Sequence, residues 1–236
     1  MNINNKTARL AGFIYLVVII TGFYSLMYVP SQLIVWEDPG LTFRHISSSV
    51  SLFRSGIASS MLCYIAFALL PLVLYQLLKG THKNAARLMV IFAIISVPIS
   101  FMNLQSKFSV LTIVEGADYL KVFDAKQLQA QVMLLLSNYN KGILIVQVFW
   151  GLWLFPFGYL VYRSGFLPKI LGVFLMLGCW GYIMNVLGRT MISDFSEYAI
   201  SGYVTLPASI GEIGMCLWLL IAGVKSKSIN NMHQQN

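Results

Sequence analysis

Glu212 is the residue of this chain with the most to explain, because it sits inside the last long apolar segment, about six residues or 9 Å from its start. A carboxylate within a membrane helix is expensive and is kept for a partner or for a function. In the preceding segment Tyr182, Asn185 and Arg189 follow one another at i, i+3 and i+7 and share a helix face, so an Arg189–Glu212 meeting across two consecutive antiparallel helices is expected. Asn103 and Lys107, at i and i+4, and Asn140, Lys141 and Gln147 lie at a comparable depth in two other segments. Should these groups converge, they line an outward-facing polar cavity with three cations and one carboxylate. Such a cavity suits an anionic or carbonyl-bearing amphiphile, for example a lipid headgroup or a polyprenyl phosphate. Should they not converge, Glu212 and Arg189 form a helix tie, the amides hydrogen-bond between helices, and Lys107 and Lys141 snorkel to the surface.

Other chemistry finds little support. His45, His82 and His233 fall in three different aqueous segments, and the chain has no HExxH, no Walker loop and no GxSG-type serine with an intramembrane histidine. No metal site, cofactor or catalytic residue is therefore assigned, and the expected ligand-binding set is Glu212, Arg189, Asn185, Tyr182, Lys107, Asn103, Asn140 and Gln147. Three function classes follow: a non-enzymatic protein that binds or moves a small amphiphile, an enzyme on a lipid or isoprenoid with Glu212 as acid or base, and a structural or regulatory partner of another membrane protein.

The elements that must position these groups are set by solvent. With 58% apolar and 10% charged residues among 236, and a mean hydropathy of +0.74, the chain is far from the roughly 25% charge of a soluble domain. An apolar run of about 20 residues crosses the ~30 Å hydrocarbon core of a bilayer. Six such runs predict an all-α, polytopic membrane protein forming one domain over 1–225, with spans at about 8–29, 56–78, 88–111, 128–162 or 143–162, 167–187 and 206–224. The two options for the fourth span arise from Ser137-Asn138-Tyr139-Asn140-Lys141, where a helix from Leu128 either projects from the bilayer or breaks. A tail, 226–236, rich in Asn, Gln and Ser, is expected to be disordered.

Charge gives the orientation. Lys6, Arg9, Lys79, Lys83, Arg87, Arg163, Lys169, Lys225 and Lys227 fall on one side with no acidic residue. Glu37, Asp38, Glu115, Asp118, Asp124, Asp194 and Glu197 fall on the other. The positive-inside rule then places both termini in the cytoplasm, N-in and C-in. The net charge of +8 is consumed by this partition, so membrane lipids are the expected partners and nucleic acid is not. Cys63, Cys179 and Cys216 all lie in apolar segments and read as small buried residues. Pro71, Pro98 and Pro156 interrupt spans, and Gly178, Gly211 and Gly214 allow the last two spans to approach closely.

The block FWGLWLFPFGYLVYRSGFLPKILGV, from Phe149 to Val173, resembles the bacterial membrane proteins grouped as domain of unknown function 4386. So do TARLAGFIYLVVIITG at Thr7 to Gly22 and GEIGMCLWLLIAGVK at Gly211 to Lys225. The resemblance implies a six-helix protein of a bacterial plasma membrane without an assigned activity. It transfers no catalytic residue, but it makes Glu212, Arg163, Gly165 and Pro168 motif positions, the last three as a basic hairpin leading into a helix.

Overall fold

The computed structural model describes residues 3–224, and every regular element among them is helical. Six helices are long and apolar enough to cross a membrane. They are α1 (Asn5–Leu33), α3 (Val50–Leu78), α4 (Lys83–Val114), α5 (Ala125–Arg163), α6 (Lys169–Met191) and the segment Ala199–Ile221. That last segment opens in 3-10 turns, and its α-helical part, Leu206–Ile221, is α7. A shorter helix, α2 (Pro39–Ser48), joins α1 to α3. The spans are apolar all round, as a bilayer requires: on α3, Leu62, Ile65, Leu69 and Leu72 are exposed while Leu70, Leu74 and Leu78 are buried. The chain is a multi-pass membrane protein. Lys225, Lys227 and the tail 226–236 lie outside the described residues.

Local sequence chemistry sets the ends and irregularities of these helices. In α1 the stretch Tyr24–Tyr28 is a π-helix that ends two residues before Pro30. A proline ring collides with the carbonyl four residues earlier and brings no N–H, and widening the turn relieves the collision. Asp38 caps α2 by accepting from Leu41 N at 2.8 Å, and Pro39 fills the first helical position, where a missing N–H costs nothing. α4 turns at Leu104, six residues after Pro98.

α5 runs unbroken for 39 residues, about 58 Å, so it is longer than the hydrocarbon core is thick. The polar run 137–141 does not break it, since Asn and Ser cost a helix only tenths of a kcal/mol each. Its start is fixed by a reciprocal cap in which Gln127 N donates to Asp124 Oδ1 and Asp124 N donates to Gln127 Oε1, both at 2.9 Å. The α5–α6 link turns at Gly165, whose φ of 71° suits glycine. Ser164 ties that turn by donating to Val161 O at 2.8 Å and accepting from Leu167 N at 3.2 Å.

Packing divides the chain into two compact units. The first comprises the chain up to Val17, Ala66–Val97 and everything from Ile145 onward; the second comprises Val18–Ile65 and Pro98–Leu144. In the first unit α5, α6 and α7 meet backbone to backbone. A Cβ on Gly158 would come within 2.5 Å of Gly172 O, and one on Gly178 within 2.6 Å of Ala208 Cα. The start of α1 lies antiparallel to α7: Cys216 Sγ donates to Gly12 O at 3.5 Å, and Val224 N donates to Asn5 Oδ1 at 2.8 Å. The second unit has its own apolar core, in which Val29, Ile46, Phe53, Val110, Val132 and Leu136 are buried together.

Candidate functional site

In the first unit Glu212 is met by a residue of α1. Tyr15, 1% exposed, donates its hydroxyl to Glu212 Oε1 at 3.0 Å. Its ring lies 6.4 Å from that of Trp153, which stacks on Phe157 and meets Phe67 edge-on. Tyr182 is an electrostatic neighbour of both Glu212 and Tyr15, with its Cβ packed under Gly151. The carboxylate thus has one close donor and a wall of aromatic rings. A phenol donating to a carboxylate is a tie and a proton-holding pair.

Arg189 does not complete this centre. Among the described residues the ion pairs are Arg54–Glu115 and Lys121–Asp118. The reason is axial register. Gly178 sits at Ala208, Gly211 at Leu175 and Gly214 at Leu171, so Glu212 is level with Phe174. Arg189 lies about 15 residues further along α6, or about 22 Å at 1.5 Å per residue. It is exposed, and its Nε donates to Asn185 Oδ1 at 3.1 Å. The buried Asn185 in turn donates from Nδ2 to Gln147 Oε1 at 2.8 Å. Gln147, Asn185 and Arg189 therefore form a tie between α5 and α6, separate from Glu212.

The second unit holds Asn103 and Lys107, and both turn towards Tyr139 of α5. Asn103 Nδ2 donates to Tyr139 O at 2.9 Å, and its side chain occupies the space a Cβ on Gly142 would need. Lys107 is only 5% exposed; its Nζ lies 4.1 Å above the Tyr139 ring and donates to Ser25 O at 3.4 Å. That acceptor is explained by the π-helix. In π register the donor to Ser25 O is the N–H of residue 30, which is proline and has none, whereas Val29 N reaches Tyr24 O as the register demands. The Lys107 ammonium supplies the missing donor. Lys107 is thus buried against protein groups and does not snorkel, and Asn140 and Lys141 are exposed on α5 outside both clusters.

Tyr15 and Tyr139 are the site residues that sequence reasoning missed. Tyrosine in an apolar helix reads as a packing residue, and neither has a spacing that marks it. A third feature was also unmarked. At one end of the second unit an open groove of about 490 Å³ runs between α3 and α4, floored by Ile57, Met61, Phe108 and Leu111. It is closed at its polar end by Arg54 Nη2 donating to Glu115 Oε1 at 2.7 Å. Among the described residues no cluster of three or more His, Cys, Asp or Glu side chains is placed to hold a metal ion.

Residues 10–223 match the family described as "Domain of unknown function (DUF4386)". The chain belongs to the DUF4386 family. A relative from Archaeoglobus fulgidus, named "Uncharacterized protein", is 30% identical over 173 residues, which cover 73% of this chain and 86% of the relative. No solved structure matches this DUF4386 chain. The matched range takes in Tyr15, the groove residues, the Arg163–Gly165 link and Glu212 alike.

Proposed function

We propose that this DUF4386 protein is a non-enzymatic membrane protein that binds an amphiphile, its apolar chain in the α3–α4 groove and its polar head at Arg54 and Glu115. One observation carries the reading: an apolar trough at the end of two spans, with the charges gathered at one end only. Amphiphile sites are mostly apolar with few polar groups to fix orientation. By contrast, Glu212, Asn185, Asn103 and Lys107 are each engaged by neighbouring protein groups and serve as ties. With both termini in the cytoplasm, Arg54 and Glu115 stand at the outer interface of a plasma membrane, and the groove opens to the outer leaflet.

The test is native mass spectrometry of gently purified protein. Wild type is expected to retain an amphiphile in one-to-one ratio, and Met61→Trp, which fills the trough from a partly lipid-facing position, is expected to lose it. Equal retention by folded Met61→Trp would remove the groove as the site. Loss of the molecule in Tyr15→Phe, with retention in Met61→Trp, would return the site to Glu212.

A further inference from the structure

We infer that the headgroup taken at this groove carries a phosphate and a primary ammonium together, as in an ethanolamine phospholipid; the inference rests on the amphiphile-binding reading above. The Arg54–Glu115 bond uses one nitrogen and one oxygen, Nη2 and Oε1. Nη2 carries two N–H groups and spends one on Glu115, so Arg54 keeps the other, which with its neighbour on Nε or Nη1 presents a fork that fits two phosphate oxygens. Glu115 keeps Oε2, a carboxylate oxygen that only accepts. Both side chains are reachable, at 62% and 43% exposure.

Charge complementarity then sorts the headgroups. One with a phosphate and no amine satisfies Arg54 but sets its negative charge beside Glu115. A choline headgroup brings a positive charge with no N–H to donate, so Oε2 gains no hydrogen bond. A phosphoethanolamine group places its phosphate on Arg54 and donates its ammonium to Glu115, matching both signs at once. Its acyl chain continues along Ile57, Met61, Phe108 and Leu111, the apolar floor that begins one helical turn from Arg54. An exposed ion pair contributes little to stability, so the pair is available for recognition and its removal leaves the fold in place.

The experiment uses the full chain in nanodiscs of equimolar dioleoyl phosphatidylethanolamine, phosphatidylglycerol and phosphatidylcholine, with retained lipid read by native mass spectrometry after transfer to detergent. Wild type is expected to retain phosphatidylethanolamine at least fivefold over either competitor. Glu115→Gln is expected to lose its discrimination against phosphatidylglycerol, and Arg54→Gln to retain none of the three phospholipids above the Met61→Trp background. Retention that depends on Met61 but is equal for the three lipids overturns the headgroup inference and leaves the amphiphile reading standing. An unchanged preference in Glu115→Gln also overturns it. Retention that Met61→Trp does not reduce overturns the amphiphile reading itself. Circular dichroism and gel filtration on each variant establish that it is folded before its lipids are counted.

Discussion

Lys107 acts in place of an absent backbone donor, and that role can be separated from charge by a double-mutant cycle. Replacing it with Met keeps the stem and removes the ammonium, so Ser25 O loses its donor, an unsatisfied carbonyl that costs about 1–3 kcal/mol. Pro30→Ala restores an N–H at the position whose absence leaves Ser25 O open, and in that background Lys107→Met should cost at least about 1 kcal/mol less. Thermal unfolding of the four proteins in detergent measures the coupling; strict additivity would mean that Lys107 is held by Tyr139 alone.

The same scale shows what the sequence makes visible. Glu212 and Lys107 stand out because a charge in an apolar run always needs an account. Their partners do not, because Tyr15 and Tyr139 are unremarkable in composition, and Ser25 matters only through its main chain. The Arg189–Glu212 expectation failed for a definite reason: helical periodicity gives the face on which a residue lies, but not the height at which two helices meet.

At the scale of elements, that height is written in glycines. Gly158 and Gly172 let α5 and α6 touch through their main chains, where no side chain can move aside. Gly158→Ala should therefore destabilise by about 1–3 kcal/mol through overpacking. Gly202→Ala, which meets nothing within 4 Å, should stay within about 0.5 kcal/mol of wild type. Equal melting temperatures for the two variants would show that α5 and α6 are free to separate. Sequence reasoning identified α6 and α7 as a close pair from Gly178, Gly211 and Gly214, and those residues do pack against Ala208, Leu175 and Leu171. It left α5 open because a polar pentapeptide resembles a loop in an apolar context. In the folded chain that pentapeptide is a helix with Tyr139 turned inward and Asn138 and Asn140 outward. The groove was hidden for another reason: its floor is ordinary apolar sequence, and Arg54 and Glu115 lie 61 positions apart.

For the whole molecule, the remaining quantity is orientation, and it decides which leaflet supplies the amphiphile. The basic residues around Lys79 and Arg163 and the acidic residues around Glu115 and Asp118 call for both termini in the cytoplasm. The three native cysteines are buried, so a membrane-impermeant maleimide added to intact cells reports chiefly on an introduced thiol. Val122→Cys, on the exposed connection between α4 and α5, is expected to label at once. Lys79→Cys, at the exposed end of α3, is expected to label only after permeabilisation. The opposite pattern would invert the protein and turn Arg54 and Glu115 towards the cytoplasmic leaflet. The headgroup chemistry of the groove would survive that inversion, because it depends on the sign and placement of two side chains, while the source of its lipid would change sides.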